Sequence, residues 1–271
     1  NQIGVEDVKG IEVIEGDLYD LSVVEMAITS ETDMIFHLAA DKAVNSENIA
    51  AQFDFNNTMT SNILSRMKEV GVMNIAFASS STVYGEAECP TPESYTPLEP
   101  ISVYGASKLA SEALISAYAH GFDYTTWIFR LANVVGPRLQ KGAVIPDFIE
   151  KLKKNPELLH VLGDGHQEKS YIYIEDCIEA MCWIIEMTSD PTNVYNIGTK
   201  TTISVREIAE IVANQMDLSP KITYTSSDRG WAGDVPRMSL SVEKLISLGW
   251  GPELESEDAV RRTVRELVSS Q

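Results

Sequence analysis

The sequence is poor in cysteine and contains no long apolar run. Its three cysteines, Cys89, Cys177 and Cys182, form no Cys-x-x-Cys pair, so the pattern predicts neither a disulfide framework nor a zinc site, and no metal is expected. Unpaired cysteines fit a reducing compartment, and we predict a cytoplasmic location. No stretch approaches the roughly 20 apolar residues of a membrane span, and the polar start NQIGVEDVKG lacks the apolar core of a signal peptide. A membrane is therefore not among the predicted partners.

Basic side chains are also scarce. The 21 Lys and Arg stand against 40 Asp and Glu, which gives a net charge of −19. A charge of this size repels a phosphate backbone, and no stripe of Lys and Arg reverses it locally, so nucleic acid is excluded from the predicted partners. The acidity is typical of a well-solvated protein surface.

Length and patterning predict an α/β protein. The 271 residues, 44 % of them hydrophobic, are enough for one large domain or two closely packed domains. Short apolar runs, typical of strands, alternate with longer amphipathic runs, typical of helices, and such an alternation forms a doubly wound parallel sheet. The predicted strands are 11–17, 33–40, 74–81 and 124–133, and the predicted helices are about 20–29, 47–70 and 103–120.

A looser pattern begins after Asn133. Segments punctuated by Pro and Gly, such as VVGPRLQKGAVIP and VLGDGHQEKS, lie between shorter helical runs. They predict a smaller α+β lobe over the ligand edge of the sheet, with one strand at 193–198 returning to the sheet. The predicted sheet domain is 1–136, joined by 171–198, and the predicted substrate-binding lobe is 137–170 and 199–271.

One short run, SVYGASKLASE (102–112), contains a candidate acid/base pair. Tyr104 and Lys108 are four residues apart, so they share one face of the predicted helix. A Lys ammonium one turn away favours the phenolate and lowers the pKa of a Tyr from its usual value near 10. The spacing is weak alone, because a chain with ten Tyr contains such a pair by chance about 40 % of the time.

Three further stretches follow predicted strands, where the ligand crevice of such a sheet lies. SSSTVYG (79–85) places hydroxyl groups there, HLAADKAV (37–44) places small residues ahead of Lys42, and RLANVVGPR (130–138) places Asn133 before a Gly-Pro turn. Each stretch by itself is compatible with an ordinary turn, and His37 is interpreted as a packed core histidine rather than a catalytic one.

Taken together, the order and spacing of these motifs closely resemble the extended short-chain dehydrogenase/reductase family, and within it the NAD-dependent nucleotide-sugar epimerases and dehydratases typified by the UDP-glucose 4-epimerases. The resemblance extends from GDLYD (16–20) to VRRTVREL near the end of the sequence. It implies a Rossmann-like fold, NAD as cofactor, a UDP-sugar substrate, and a homodimer whose interface is formed by the helices at about 47–70 and 103–120.

The resemblance assigns roles to individual positions. Its catalytic residues match Ser80, Tyr104 and Lys108, where Ser80 is the residue four before the Tyr of VYG and its neighbours Ser79 and Ser81 stay open as alternatives. The positions that match its cofactor contacts are Asp17, Leu18, Leu38, Ala39, Ala40, Lys42, Asn56, Ser79, Tyr104 and Lys108. The positions that match its substrate contacts are Ser80, Ser81, Asn133, Lys169, Arg229 and Asp234.

The second lobe departs from the family pattern at the Arg-Asp pair of one motif. LGDGHQEKSYIYIED resembles the segment Gly-x-Gly-x-Gln-x-Arg-Asp-Phe-Ile-Tyr-Val-x-Asp, but Lys169 and Ser170 stand where the family has Arg and Asp. A Lys binds phosphate as a point charge and lacks the guanidinium fork. Arg229, in DRGWAGDVP, is therefore the better candidate to meet the diphosphate, with Asp234 as a ribose partner.

The implied reaction is an epimerisation at C4 of the sugar. By the resemblance, Tyr104 removes the proton of the 4-hydroxyl, and NAD accepts the C4 hydride and returns it to the other face. The dehydratase branch has Thr-Asp-Glu where this chain has Ser80-Ser81-Thr82, and hydroxyls cannot supply the acid and base that elimination of water requires. Interconversion of UDP-glucose and UDP-galactose, or of their N-acetyl forms, is favoured. A UDP-glucuronate decarboxylase, a sugar-nucleotide dehydratase and a catalytically idle sugar-nucleotide-binding fragment stay open.

The glycine-rich turn that opens a dinucleotide-binding fold is missing from the sequence. No Gly-x-x-Gly-x-x-Gly precedes residue 17. In the family's strand order the first strand lies centrally, and a sheet without it exposes apolar edges. We therefore expect about 40–50 residues, two βα units, to precede Asn1 in the native protein, so that the sequence lacks the first βαβα portion of the fold.

Overall fold

The structure, a computed structural model, describes residues 10–42, 49–139, 142–225, 227–231 and 233–269. The helices are α1 (Leu21–Ala27), α2 (Ile49–Val70), a 3-10 helix (Ser81–Tyr84), α3 (Val103–Phe122), α4 (Val144–Lys154), α5 (Ile174–Met187), α6 (Val205–Gln215), α7 (Glu243–Ser247) and α8 (Ser256–Ser269). The strands are β1 (Ile35–His37), β2 (Asn74–Ser80), β3 (Thr125–Leu131), β4 (Asn133–Val135), β5 (Leu158–Val161), β6 (Glu168–Lys169), β7 (Tyr171–Tyr173), β8 (Thr192–Ile197), β9 (Ile203–Ser204), β10 (Lys221–Tyr224) and β11 (Arg237–Met238).

The main sheet has the strand order β1-β2-β3-β8, and its neighbouring strands are parallel. β2 and β3 pair from Asn74 opposite Thr125 to Ser80 opposite Leu131. Helices α2 and α3 cover one face of the sheet, and α5 covers the other. The chain therefore has the doubly wound, Rossmann-like α/β fold that the alternation of patterns predicts.

The side chains of β3 explain how the sheet acquires two covered faces. Ile128 packs with residues of α2 and α3 such as Ile115, whereas Trp127 and Phe129 pack with α5. Successive residues of a strand point to opposite faces, so a parallel strand covered on both sides reads as a near-continuous apolar run. Arg130 interrupts that run and is only 6 % exposed, which makes it a buried charge in the centre of the fold.

Most predicted elements are present with shifted ends. The predicted helices correspond to α1, α2 and α3, except that residues 47 and 48 lie outside the described part of the chain. The predicted strands at 33–40, 74–81 and 124–133 correspond to β1, β2 and β3 with β4, and the strand predicted at 193–198 is β8, which pairs with β3.

The strand predicted at 11–17 is wrong. No residue of this segment is in a strand, and Ile11 and Val13 are 51 % and 46 % exposed. A strand is stabilised by hydrogen bonds to a neighbouring strand, and none of the described strands pairs with this segment. β1 also forms an edge among the described strands, and its Phe36 is 47 % exposed.

A second hydrophobic core lies beyond the main sheet. It is formed by α4, β5, α6 and α8, with Phe148, Ile208 and Val260 among its buried side chains. α6 begins with a capping box, in which the side chains of Ser204 and Glu207 each accept a hydrogen bond from the other's backbone N–H. β10 packs against this core through Ile222 and Tyr224, and β6, which carries Lys169, pairs with β9, whose Ile203 belongs to the core. None of the helices in the described part of the chain is both long and apolar enough to cross a membrane.

Candidate active site

The predicted catalytic residues meet where β2 ends beside the start of α3. Ser80 is the last residue of β2, and Tyr104 and Lys108 lie in the first and second turns of α3. Ser102 caps this helix, because its Oγ accepts a hydrogen bond from the backbone N–H of Gly105 (3.1 Å). The cap determines where the helix begins, and therefore where Tyr104 stands.

The 3-10 helix that follows β2 packs against the first turn of α3. Its N-cap is Ser80, whose Oγ accepts hydrogen bonds from Thr82 N (3.2 Å) and Thr82 Oγ1 (2.9 Å). A Cβ added at Gly105 would lie 2.7 Å from the carbonyl oxygen of Thr82, so only a glycine permits this approach. The elements that carry Ser80 and Tyr104 are thus held in close backbone contact.

The three adjacent serines have different surroundings. Ser79 is 3 % exposed, and its Oγ donates a hydrogen bond to a carboxylate oxygen of Glu112. Ser81 is 8 % exposed inside the 3-10 helix. Ser80 is half-buried, and its Oγ accepts two hydrogen bonds while its own hydrogen remains available to donate. Ser80 is therefore the best placed of the three to meet a ligand.

Lys108 lies between β2 and Tyr104. Its Nζ donates a hydrogen bond to the carbonyl oxygen of Ala78 (2.7 Å) and lies 5.8 Å from the ring centroid of Tyr104 and 4.6 Å from that of Phe77. Burial lowers the pKa of Lys108 to about 8, although the carboxylate of Glu112 opposes the shift. The amine is therefore mainly protonated at neutral pH, and its positive charge lies beside Tyr104.

Tyr104 is a poor base in this structure. Burial raises its pKa to about 12, because a phenolate is poorly stabilised away from water. Proton removal by Tyr104 at neutral pH therefore requires positive charge in the site. Lys108 supplies one such charge, and a positively charged ligand beside the phenol would supply another.

The sequence motifs do not reveal a buried ion pair beside Lys108. Arg130 on β3 donates hydrogen bonds to both carboxylate oxygens of Glu112 on α3, at 2.7 Å from Nη2 and 3.1 Å from Nε. Their side chains are only 7 % and 6 % exposed. Burial lowers the pKa of Arg130, but the hydrogen bonds and charge of Glu112 outweigh burial and raise it. Two signals point to the pair: Glu112 follows Lys108 by four residues, and Arg130 is a charge in an apolar strand.

Tyr84 and Asn196 extend this network across the sheet. Arg130 Nη1 donates a hydrogen bond to Tyr84 Oη (3.0 Å), which donates to Asn196 Oδ1 (2.8 Å). The backbone N–H of Asn196 donates to Glu93 Oε1 (2.9 Å), and its Nδ2 donates to the carbonyl oxygen of Ser241 (3.0 Å). The network thus connects β3, the 3-10 helix and β8 with the chain before α7.

The positions that the resemblance assigns to the cofactor lie along the exposed edge of the sheet. The turn after β1, residues 38–42, is largely exposed, and Leu38 is 58 % exposed, while the last two residues of HLAADKAV lie outside the described residues. Asp17 is exposed, and its Oδ1 accepts a hydrogen bond from Tyr19 N (2.9 Å). Leu18 is half-buried and packs against the core between the sheet and α2.

Asn56 holds the turn after β1 in place. Its Oδ1 accepts a hydrogen bond from Asp41 N (2.7 Å), and its Nδ2 donates to the carbonyl oxygen of Asp41 (3.0 Å) and to Ser107 Oγ (2.9 Å). Asn56 is only 4 % exposed, so little of its side chain is available for direct contact, and its hydrogen bonds instead hold the turn.

His37 is the packed core histidine that the sequence predicts. It is 2 % exposed, and its Nε2 lies 3.0 Å from Thr60 Oγ1. Burial, together with the charge of Lys108, lowers the pKa of His37 to about 3, so the ring is neutral at physiological pH.

The described residues fit a dinucleotide at this edge. The small side chains of Ala39 and Ala40 let a flat ligand approach the backbone, and Leu38 presents an apolar surface. The buried amine of Lys108 lies at the carboxyl end of β2, where ligands of parallel sheets bind. These features suit the cofactor that the resemblance implies.

In the second lobe, two residues assigned to the substrate bind each other. Lys169 Nζ forms an ion pair with Asp234 Oδ1, and the two side chains are 21 % and 8 % exposed. Arg229 donates hydrogen bonds from Nη2 to Glu86 Oε1 (2.6 Å) and from Nη1 to the carbonyl oxygen of Asp234 (3.2 Å). The structure thus brings Lys169, Arg229 and Asp234 into one cluster.

This cluster lies near the start of α3. A Cβ added at Gly233 would lie 3.2 Å from Ser102 Cβ, so the loop of Arg229 and Asp234 reaches the helix that carries Tyr104. Asn133, at the start of β4, donates a hydrogen bond from Nδ2 to the carbonyl oxygen of Ser170 (3.2 Å) and is half-buried.

A cavity of about 370 Å³ opens beside the Arg229–Glu86 pair. The residues that line it are Glu86, Ala87, Asp164, His166, Gln167, Asp228, Val235, Pro236 and Arg237. Gln167 Nε2 is buried and has no hydrogen-bond partner within the described part of the chain. The wall carries charges of both signs, including Glu86, Asp164, Asp228 and Arg237, and such a wall suits a polar ligand.

Comparison with known proteins places this fold in a family. The sequence model of the NAD dependent epimerase/dehydratase family matches residues 2–198. The crystal structure of a UDP-galactose 4-epimerase has 40 % sequence identity and a TM-score of 0.83, over 94 % of this chain and 82 % of the other. The UDP-glucose 4-epimerase of Thermus thermophilus, solved with NAD, has 29 % identity and a TM-score of 0.85, over 98 % and 88 % of the two chains. A dTDP-D-glucose 4,6-dehydratase of Mus musculus is 28 % identical, over 96 % of this chain and 75 % of its own.

The family match includes β1, β2 and α3, and with them the whole set formed by Ser80, Tyr104 and Lys108. Both epimerases and dehydratases are among the relatives. The comparisons therefore identify the family and its cofactor, but they do not distinguish between the two reactions. The chain belongs to the NAD dependent epimerase/dehydratase family, whose enzymes are NAD-dependent members of the short-chain dehydrogenase/reductase type with a Rossmann-like fold.

Proposed function

We propose that the protein is a nucleotide-sugar 4-epimerase that interconverts UDP-glucose and UDP-galactose, or their N-acetyl forms. The observation that carries this proposal is the convergence of Ser80, Tyr104 and Lys108 at the end of β2, with hydroxyl-bearing residues at positions 80–82. The 40 % identity to a UDP-galactose 4-epimerase of known structure supports it.

Tyr104 is the proposed acid/base group for the 4-hydroxyl of the sugar. As a base it takes the proton of the hydroxyl, and as an acid it returns a proton to the same oxygen after the configuration has changed. The cost of forming its phenolate is set by burial, which raises its pKa to about 12, and by the ammonium of Lys108, which stabilises the phenolate. Ser80, which has a hydrogen available to donate, orients the sugar oxygen beside Tyr104.

NAD is the proposed cofactor of this chain, and when bound it supplies the acceptor and donor of the C4 hydride. The residues proposed to hold it are the turn at 38–42, Asp17 with Leu18, and Lys108. Asn56 fixes that turn, and Lys108 places a positive charge at the carboxyl end of β2. The positive charge of an oxidised nicotinamide beside Tyr104 would favour the phenolate further.

The diphosphate and ribose of the substrate are proposed to bind at the cluster of Lys169, Arg229 and Asp234. Lys169 and Arg229 bring two positive charges together near α3, and a diphosphate competes with Asp234 and Glu86 for them. The neighbouring cavity, whose wall carries charged side chains of both signs, is the proposed site for the remainder of the nucleotide. Asn133 and Ser81 are also proposed to contact the sugar, as the resemblance implies.

A sugar-nucleotide dehydratase is the second candidate, because dTDP-D-glucose 4,6-dehydratase is among the relatives. Elimination of water requires an acid and a base near C5 and C6 of the sugar. At positions 80–82 this chain offers hydroxyls instead, and Thr82 Oγ1 already donates its hydrogen to Ser80 Oγ. The arrangement therefore favours epimerisation.

Incubation of the purified protein with UDP-galactose and NAD, without added reductant, tests the proposal. We expect UDP-glucose to accumulate to a steady ratio, because the reaction consumes no net reducing power. Anion-exchange chromatography of the nucleotide sugars measures this ratio, and starting from UDP-glucose should give the same one.

Other products would contradict the 4-epimerase proposal in distinguishable ways. Formation of a 4-keto-6-deoxy sugar from dTDP-glucose or UDP-glucose would identify a dehydratase, and release of carbon dioxide from UDP-glucuronate would identify a decarboxylase. Binding of UDP-sugar and NAD without turnover of any of these substrates would identify an idle binding protein.

A homodimer that pairs α2 and α3 with their copies is a further prediction. Three phenylalanines of these helices, Phe53, Phe55 and Phe122, are 37 %, 40 % and 38 % exposed, and a partner surface would cover them. Light scattering should then give twice the chain mass of 29.9 kDa. Phe53→Asp should shift the mass toward one chain, whereas Met187→Asp, at a more exposed apolar residue on α5 (52 %), should leave it unchanged. A wild-type mass of a single chain would contradict the prediction.

A further inference from the structure

Glu112 is a buried carboxylate that the proposed mechanism does not use. It is 5 % exposed and lies one turn beyond Lys108 on α3, so the two side chains share a helix face. Burial of a carboxylate is costly unless it is paired. Glu112 accepts hydrogen bonds from Ser79 and Arg130, and these two donors stabilise its buried charge beside the candidate active site.

Two hydrogen bonds tie this helix face to consecutive residues of β2. Lys108 Nζ donates to the carbonyl oxygen of Ala78 (2.7 Å), and Ser79 Oγ donates to the carboxylate of Glu112. Ser80 is the next residue of the strand. The helix face that carries Lys108 therefore also fixes the strand end that presents Ser80.

The charge balance around Lys108 depends on Glu112. In the described part of the chain, the titratable groups that face Lys108 or Glu112 are His37 from β1, Tyr104 from α3 and Arg130 from β3. Tyr84, from the 3-10 helix, binds Arg130. The pKa of His37 is about 3 and that of Tyr104 about 12, so both are neutral near pH 7. Glu112 itself supplies the negative charge that raises the pKa of Lys108, in opposition to burial, which lowers it.

We propose that Glu112 is a positioning residue of the acid/base site, whose carboxylate keeps Lys108 protonated beside Tyr104 and, through Ser79, holds the strand end that carries Ser80. The catalytic consequence rests on the proposed function, but the proton affinity of Lys108 can be measured without substrate or cofactor. The two proposals can therefore fail separately.

The test replaces Glu112 by Gln, which keeps the size of the side chain and removes its charge. The midpoint of the Lys108 titration is expected to fall by about one pH unit, a tenfold loss of proton affinity, because an opposite charge nearby stabilises the ammonium. The readout is the ¹³Cε chemical shift of lysine in cofactor-free, ¹³C-lysine-labelled protein, with the Lys108 signal assigned by its loss in Lys108→Arg. In the assay with UDP-galactose, the alkaline limb of kcat should move to lower pH by a similar amount.

Two variants control for effects other than charge. Glu112→Asp keeps the carboxylate, and its Lys108 midpoint should stay near that of the wild type even if kcat falls. Glu266→Gln makes the same exchange on α8, where the carboxylate binds Tyr173 and Arg262, and it should change neither the midpoint nor the alkaline limb.

A second variant covers the case in which Glu112→Gln does not fold. Glu112→Gln/Arg130→Met removes both buried charges, and its Lys108 midpoint should lie below that of Arg130→Met, because these two variants differ only in the Glu112 carboxylate. An unchanged midpoint in Glu112→Gln, or equal midpoints in the double variant and Arg130→Met, would overturn the proposal for Glu112. A lowered midpoint in a protein that turns over neither UDP-galactose nor its N-acetyl form would support it and reject only the 4-epimerase assignment.

Discussion

Replacing Tyr104 by Phe should lower the turnover of UDP-galactose by about 10²–10⁴-fold, the range that a positioned acid/base group contributes. The substitution removes only the phenolic oxygen and keeps the ring that lies near Lys108. The free energy of unfolding should therefore change little, while kcat falls with little change in KM. Chromatographic rates at saturating UDP-galactose measure the loss, and urea denaturation checks the fold.

Tyr118→Phe is the matched control for this experiment. Tyr118 is also half-buried on α3, but its ring packs against Phe122 and Tyr124 at the other end of the helix. The same chemical change there should leave kcat near the wild-type value. A Tyr104→Phe enzyme that retained more than about a tenth of the wild-type kcat would show that another group moves the proton.

The parts of the site that sequence predicts well are local. Tyr104 and Lys108 are related by the repeat of one helix, and Ser80 is placed by the end of one strand, so the pattern of each element is enough to orient its side chains. The fold class follows for the same reason, because the alternation of strand and helix patterns survives changes at individual positions.

The network around Glu112 depends on contacts that no local pattern records. Glu112 and Arg130 are 18 residues apart, and Tyr84 meets Asn196 across 112 residues. Their partnership is set by the register of β2 with β3 and of β3 with β8, which a single sequence does not specify. A charge in an apolar strand, such as Arg130, nevertheless predicts that some buried partner exists.

At residues 11–17, by contrast, the sequence predicts a strand that the structure does not contain. Its alternating apolar residues are typical of a strand, yet strand propensity depends on a neighbour that supplies hydrogen bonds and a packing surface. The described chain offers neither at this position, and Ile11 and Val13 remain exposed. The sequence pattern therefore indicates that the segment can form a strand, but a strand forms only where the tertiary structure supplies a neighbouring strand.

Arg130→Met is expected to cost about 3–5 kcal/mol of unfolding free energy, the range found when one partner of a buried ion pair is removed. In the variant, the carboxylate of Glu112, which is 5 % exposed, keeps only Ser79 as a hydrogen-bond donor. Tyr84 Oη also loses the hydrogen bond that it accepts from Arg130 Nη1. Urea denaturation at pH 7, followed by circular dichroism, measures the loss.

Arg262→Met provides a closely matched control, because Arg262 also binds carboxylates, those of Glu175 and Glu266, and lies over a tyrosine ring. Its side chain is 38 % exposed, so the control should cost far less unfolding free energy, because ion pairs in contact with water contribute little to stability. In Glu112→Gln/Arg130→Met no unpaired charge is left buried, and the double variant should be more stable than Arg130→Met alone. If Arg130→Met lost no more unfolding free energy than Arg262→Met, the prediction would be contradicted, because burial would not have made Arg130 and Glu112 depend on each other for stability. The pair would then contribute to the site only by its geometry.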